Sequence, residues 1–295
     1  MDIRSRLTRL LISLGLLGLL TACGINNSPA NFSGTQSLNH DYDSPIVLNV
    51  TTTNGAISVT AAQQKEIAIV AKFRTISQER LDNSSVRVTN DANGNLMIDV
   101  NWADGKRENN ESVSFDIALP ATAGLRLRTN NGRLSSHNLS GSADLKTSNG
   151  TIEVQRHQGD LKSHTSNGRI TLSDIDGNID ASTSNGRITI VNATAEVKAK
   201  TSNQSIKIQL ADGASGPITA NTSNGSVDFT LSEAFRGHLA MRTSNGAIRL
   251  EDLGAVQVVR LDKNKAELKF GEGGSHSTIK TSNGSIRLHP APKPQ

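Results

Sequence analysis

The sequence predicts an all-β chain: a β-solenoid, parallel β-helix-like, of about nine coils of 18 to 21 residues with an N-terminal β cap. The first observation behind this is a tetrapeptide, Thr-Ser-Asn-Gly, that stands intact at Thr147 to Gly150, Thr165 to Gly168, Thr183 to Gly186, Thr222 to Gly225, Thr243 to Gly246 and Thr281 to Gly284. Variants occupy Thr129 to Gly132 and Thr201 to Gln204, and an outlier, Thr53-Asn54-Gly55, lies far upstream. The second observation is the spacing. The last motif position falls at 132, 150, 168, 186 and 204, in steps of 18, then at 225 and 246, in steps of 21, and after a step of 38 at 284. A fixed period of this size is the mark of stacked repeats. The third is apolar alternation after each Asn-Gly, as in Ile152 and Val154, Ile170 and Leu172, or Ile188 and Ile190. That is the period of a strand.

Taken in order, residues 1–22 read as an export signal, with Arg4, Arg6 and Arg9 ahead of the apolar run Leu10 to Leu20. The run is shorter than the roughly 20 apolar residues of a permanent membrane helix. The junction Leu20-Thr21-Ala22-Cys23 resembles the lipobox of bacterial lipoproteins. The resemblance implies cleavage before Cys23 and a diacylglycerol on its sulfur, with palmitate-type acyl chains. Two or three such chains hold a protein firmly where one is marginal. Cys23 is the only cysteine, which suits an exported chain without disulfides. Gly24, in place of the Asp that would favour inner-membrane retention in that family, points to the outer membrane.

Residues 23–44 are small and polar and read as a flexible tether. Residues 45–289 form the repeat domain. Its first part, 45–121, is strand-like at Ile46, Leu48 and Val50, at Ile57 and Val59, at Ile67 and Ile69, and at Leu96, Ile98 and Val100. It repeats poorly and reads as a cap plus early coils, since an open stack would expose unpaired backbone at its end. Ser77 to Ser85 and Trp102 to Glu111 are polar and read as loops or hairpin tips. The Asn-Gly repeats fill 122–289. The step of 38 reads as two repeats, one degenerate and lying in Leu261 to Phe270. The extra residues of the longer units fall near Ala211 to Gly216 and Ser232 to Gly237. The Pro-rich tail, 290–295, cannot donate to a ladder and is expected to end the stack.

Asn-Gly is also the strongest short hairpin signal, with φ above zero at both residues. Gln204 argues for a corner instead: there the Gly is gone and Asn203 stays. A hairpin needs that Gly, whereas stacked corners need the Asn, whose amides can bond to one another from coil to coil. The expected ladder is Asn131, Asn149, Asn167, Asn185, Asn203, Asn224, Asn245 and Asn283. Counting by twos from Leu161 gives Ser163, Thr165 and Asn167, so the motif's Thr and Asn are both expected to face inward.

The recurrence of Asn-Gly-x-Ile-x-Val, with Gly-x-Leu before each Thr-x-Asn-Gly and a Phe115-Asp116-Ile117-Ala118-Leu119-Pro120 step, resembles a bacterial family of β-strand-repeat proteins labelled putative adhesin. The likeness spans roughly Ile46 to Leu288. It implies a β-solenoid on the cell envelope, and no catalytic residues come with it.

The whole chain carries a formal charge of +4. The signal's three Arg less Asp2 account for +2 of this, so the rest is nearly balanced. Basic and acidic residues alternate along the chain and aromatics are scarce, which speaks against nucleic acid. The repeated Ser and Thr offer many equivalent hydroxyls rather than one activated nucleophile. The histidines at 40, 137, 157, 164, 238, 276 and 289 lack metal-ligand spacing, so no metal or cofactor is expected. Asp174 to Asn178 only faintly matches a calcium loop and lacks its closing Glu. The Thr column would suit ice binding only if it faced outward.

These readings converge on a non-enzymatic, lipid-anchored binding or scaffold module of the bacterial envelope. Its partners are the membrane, through Cys23, and an envelope or extracellular protein or polysaccharide. The competing expectation is a polysaccharide-active envelope enzyme on a parallel β-helix, which needs a cleft with clustered carboxylates.

Overall fold

The computed structural model describes residues 32–253 and 256–291, so the signal segment and Cys23 lie outside the described residues. The chain opens with β1 (Phe32–Asp41), β2 (Ile46–Thr51) and β3 (Ile57–Ala61). It continues through β4 (Glu66–Thr75), the helix α1 (Gln78–Asp82), β5 (Ser85–Asn90), β6 (Leu96–Asn101) and β7 (Ser112–Leu119). Strand pairs follow: β8 (Thr122–Arg128) and β9 (Leu134–Ser140), β10 (Ser142–Lys146) and β11 (Ile152–Gln158), β12 (Leu161–Thr165) and β13 (Ile170–Asp176). The series runs on as β14 (Ile179–Thr183) and β15 (Ile188–Ala193), β16 (Val197–Lys200) and β17 (Ile206–Leu210), β18 (Ile218–Asn221) and β19 (Val227–Thr230). The last third holds β20 (Gly237–Thr243), β21 (Ile248–Leu250), β22 (Gln257–Leu261), β23 (Lys265–Phe270), β24 (Ser275–Thr281) and β25 (Ile286–His289).

These strands form two open sheets. One has 12 strands in the order β1-β4-β7-β3-β9-β11-β13-β15-β17-β19-β25-β21, the other 13 in the order β22-β23-β20-β24-β18-β16-β14-β12-β10-β8-β2-β6-β5. The fold is therefore all-β with long parallel sheets and no closed barrel. Each repeat gives one strand to each sheet and pairs in parallel with the same strand of the next repeat, Leu161 opposite Ile179 and Ile152 opposite Ile170. The two strands flanking the Asn-Gly of each repeat belong to different sheets, so the repeat motif is a corner and not a hairpin turn; Asn93-Gly94, between the antiparallel β5 and β6, does lie in a hairpin turn. Strand alternation sends one residue of every two inward, and the columns Ile152-Ile170-Ile188-Ile206 and Leu161-Ile179-Val197-Ile218 are at most 2% exposed. One continuous cluster takes these side chains from both sheets. Each fully buried Ile or Leu contributes about 1.5–3 kcal/mol.

Four expectations are corrected. Half of the tether is strand: β1 pairs antiparallel with β4 over ten residues, Phe32 opposite Thr75 to Asp41 opposite Glu66. Its inward positions are Phe32, Gly34, Gln36, Leu38 and His40, too polar to show as an apolar period. Gln36 satisfies its inward amide through Ser84 O at 2.8 Å and Val86 N at 3.0 Å. The polar run at Ser77 to Ser85 contains α1, whose N-terminus Ser77 caps by accepting from Arg80 N at 3.2 Å.

The third correction is Leu261 to Phe270, which is no degenerate coil. β22 and β23 pair antiparallel, and β23 pairs antiparallel with β20, closing the C-terminal end of the 13-stranded sheet. The fourth concerns order. The final repeat, β24 and β25, does not end the stack: it sits between β18 and β20 in one sheet and between β19 and β21 in the other. The Pro-rich tail thus leaves from within the stack, and its residues 292–295 lie outside the described residues.

The upstream end is built in the same out-of-order way. β2 and β3 pair with β8 and β9, and the excursion β4 to β7 lies beyond them, with β6 on β2 and β7 on β3. There Glu111, fully buried, receives Arg80 Nε at 2.6 Å and Nη2 at 2.9 Å and Glu108 N at 2.8 Å.

Candidate functional site: the stacked corners

Each Thr-Ser-Asn-Gly follows the end of a strand in the 13-stranded sheet, and each of its four residues serves the stack differently. The Thr is the last inward position. Thr129, Thr147, Thr165, Thr183, Thr201, Thr222, Thr243 and Thr281 are at most 7% exposed. Thr165 Oγ1 donates to Gly150 O at 2.9 Å and accepts from Gly168 N at 3.2 Å, so the hydroxyl ties its own corner to the one before it. Thr201 and Gly186 O, at 2.9 Å, and Thr281 and Gly225 O, at 2.8 Å, repeat the bond. A hydroxyl so buried and so bonded is structural.

The Ser and Asn backbone N–H groups both donate to the carbonyl of the preceding Ser, as in Ser166 N and Asn167 N to Ser148 O at 3.1 and 2.9 Å. The Asn side chains form a single column. Asn149 Nδ2 donates to Asn131 Oδ1 at 2.6 Å, Asn167 to Asn149 at 2.6 Å, Asn185 to Asn167 at 2.7 Å, Asn203 to Asn185 at 2.7 Å and Asn224 to Asn203 at 2.9 Å. The column then leaves chain order: Asn283 donates to Asn224 at 2.8 Å, and Asn245 to Asn283 at 2.7 Å. At the other end Asn131 donates to Asn54 at 2.6 Å, which brings in the upstream outlier.

Contrary to the inward expectation, Asn131, Asn149, Asn167 and their successors to Asn283 are exposed. The strand ends at the Thr, and the Ser-Asn-Gly bend breaks the count by twos. What turns inward is the Gly: a Cβ on Gly168 would stand 1.7 Å from Gly150 O, and one on Gly186 1.6 Å from Gly168 O. The motif glycine is thus set by close approach of backbones. Gln204, exposed, leaves the rungs on both sides of Asn203 in place.

The opposite corner is built on a different device. Asn138, Arg156, Asp174 and Asn192 repeat a left-handed conformation, φ 58°, 53°, 56° and 57°. Within Asp174 to Asn178, Asp174 Oδ1 accepts from Asn192 Nδ2 at 2.8 Å and Asp176 Oδ1 from Thr194 Oγ1 at 2.9 Å, so these oxygens serve neighbouring corners. An open groove here is lined by Asp174, Asp176, Asp212 and Glu233 with Asn192 and Gln209. The two insertions, 211–216 and 232–237, lie along this corner, where Ser232 Oγ donates to Ala214 O and Phe235 packs edge-on against Phe229 and Phe270.

The histidines scatter. His238 stacks on His276 with ring centroids 5.1 Å apart, His164 Nδ1 lies 2.9 Å from Ser182 Oγ, and His289 Nδ1 lies 2.9 Å from Glu251 Oε1. His157 is buried beside Leu139 and Ile175 in register; burial lowers its pKa and outweighs a backbone contact with Gly141 that favours the charged ring. Among the described residues no helix is long and apolar enough to cross a membrane.

No protein-family model matches the chain, and no curated protein is significantly similar to it. Among solved structures, one described as a putative adhesin from Bacteroides fragilis is similar over 90% of this chain and 100% of its own, with a TM-score of 0.50 and 15% identity. Another, described as a putative cell adhesion protein from Clostridium sporogenes, covers 88% of this chain and 100% of its own at 10% identity, with a TM-score of only 0.26. The first of these likenesses extends to the fold of nearly the whole chain.

Proposed function

We propose that the chain is a β-solenoid binding or scaffold module of the bacterial envelope, adhesin-like and non-enzymatic, held at a membrane, most simply the outer one, by lipid on Cys23. The observation that carries this reading is the register. Because residue 18 positions on lands directly beside its counterpart, outward columns become long continuous faces, the kind of surface on which repeat proteins spread their contacts. The name given to the Bacteroides structure of similar fold agrees with a binding role at the cell surface.

Two experiments test it. Cys23→Ser should release the chain from membranes, and continued retention would refute the lipid anchor. Protease shaving of intact cells, with a periplasmic protein as control, should remove the chain if it works as a surface adhesin; protection would move the search for a partner to the periplasm. Binding spread over a face also predicts that single alanines at Arg169, Arg187 or Lys207 change little.

A second reading, the polysaccharide-active enzyme, is favoured by one observation: stacking gathers Asp174, Asp176, Asp212 and Glu233 from different repeats along one groove. Asp176→Asn and Glu233→Gln should leave binding intact under the module reading. Loss of a measurable glycan cleavage in these variants would favour the enzyme.

A further inference from the structure

Along the sequence, cations and carboxylates are mixed; in the stack they separate. The residue before the motif's Thr stands on the outer face of the 13-stranded sheet, at the edge of the Asn column. Register places Arg128 beside Lys146, Lys146 beside His164, Ser182 beside Lys200, Lys200 beside Asn221, Asn221 beside Lys280 and Lys280 beside Arg242. The residue after the motif's Gly flanks the Asn column on its other side, and there Arg133, Arg169 and Arg187 are exposed.

Counting both flanks, the levels of Thr129, Thr147, Thr165, Thr183, Thr201, Thr281 and Thr243 each carry a cation, and the level of Thr222 and the upstream level of Asn54 carry none. These two columns, and the Ser and Asn columns between them, contain no carboxylate at those levels. Arg128 pairs with Asp144, in the next column, whereas Lys146, Lys200, Lys280 and Arg242 are exposed and have no ion-pair partner among the described residues. Opposite, the second corner holds Asp160, Asp174, Asp176, Glu196, Asp212 and Glu233 against two arginines, Arg156 and Arg236. The cross-section is polarised, with one basic edge and one acidic edge.

Resting on the binding-module reading above, we infer that the basic edge is a docking strip for a linear anionic polysaccharide. With strands about 4.8 Å apart, the eight levels span about 34 Å along the stack. A uronate or sulfated chain carries its anions along just such a line, one per sugar or per disaccharide, and can lie along the edge while the Asn amides and Ser hydroxyls meet its hydroxyls. Duplex DNA carries its phosphates on two winding strands and meets a single edge only where one of them crosses it. A single-stranded nucleic acid calls for aromatic platforms, and these columns contain no Phe, Tyr or Trp.

The test measures binding of the full chain in detergent to polygalacturonate and to heparin at low and high salt, with duplex DNA and anionic phospholipid vesicles alongside. The strip variant is Lys146→Gln, Lys200→Gln, Lys280→Gln. A charge-matched control is Lys65→Gln, Arg74→Gln, Lys106→Gln, at exposed sites outside the strip. Exposed charges act weakly one by one and are screened by salt, so the strip variant should lose about tenfold in polysaccharide affinity and much of its salt dependence, and the control less than about twofold. Equal loss in both variants, or no polysaccharide binding by the unmodified chain, would overturn the strip. Tighter, strip-dependent binding of DNA or vesicles would overturn the choice of occupant. Both chains are also applied to isolated envelope material: if neither binds, the module reading fails, and if the strip variant binds undiminished, only the strip does.

Discussion

Ending the chain at Gly274 removes β24 and β25, and the structure assigns this deletion a specific consequence. It takes out Ile279, Ile286 and Leu288, each 0% exposed, from between the repeats of β18–β19 and β20–β21. At about 1.5–3 kcal/mol per buried side chain, the direct loss is about 5–9 kcal/mol, before any hydrogen bonds are counted. That matches the entire stability of a typical domain, about 5–15 kcal/mol. Stacked repeats, however, touch only their neighbours, so the damage should stay local. β20 would keep only β23 as a partner and β21 none, so 237–274 should melt while 46–230 remains folded. Limited proteolysis with mass spectrometry, or hydrogen exchange, reads this directly. The reasoning is refuted if 237–274 stays protected because its repeat docks straight onto β18–β19, Asn245 on Asn224, in simple chain order.

Other perturbations probe single features. Asn167→Ala removes a donor and an acceptor from the Asn column and should cost about 1–2 kcal/mol in urea unfolding, the worth of one or two exposed hydrogen bonds. His157→Leu should stabilise by about 1 kcal/mol, since it replaces a buried imidazole whose one polar contact is the Gly141 backbone by the residue its neighbour Leu139 already is. Because burial lowers the folded pKa of His157, the unfolded chain binds the proton first: stability is full above about pH 6.5 and falls as acid is added below it, a dependence His157→Leu should remove. Glu111→Gln should destabilise by about 1.5–3 kcal/mol by weakening the charged hydrogen bonds to Arg80, which keeps Asp104 and Lys106 O as partners. Burial opposes ionisation of Glu111, but the hydrogen bonds from Arg80 and Glu108 N outweigh it and hold the carboxyl below its ordinary range. The pair's contribution is therefore complete above about pH 4.3 and lost as pH falls through the lower folded value, which acid titration of the melting curve checks.

The parts of the fold written as periods were legible. Alternating apolar residues around Ile170 and Leu172 gave strands, and the loss of Gly at Gln204 argued that Asn-Gly turns a corner. What the sequence hid was order and orientation. Asn54 carries the same motif as its stacked neighbour Asn131 but is separated from it by the excursion β4 to β7, and nothing local signals the return. The final repeat has an ordinary motif, and only the hairpin β22–β23, exposed at Val258, Val259 and Leu261 where a core strand would be buried, marks that the chain has doubled back. The Asn orientation was misread because parity was carried through a bend. The columns of charge are hidden for a related reason: mixing along the chain says nothing about columns once residues 18 apart become neighbours, so Lys146 and Lys200 join one column although acids stand between them in sequence.

The central claim is that the repeats stack in parallel register with the last one inserted. In a Cys23→Ser background, outward-facing cysteine pairs test it. Thr219 is opposite Thr278, and Thr278 is opposite Ala240, so neighbours about 4.8 Å apart can form a disulfide, whereas Thr219 and Ala240, two spacings or about 9.6 Å apart, lie beyond the roughly 7 Å limit. The account predicts efficient oxidation of Thr219→Cys with Thr278→Cys and of Thr278→Cys with Ala240→Cys, and none of Thr219→Cys with Ala240→Cys. Cross-linking of that last pair, with failure of the other two, would contradict it.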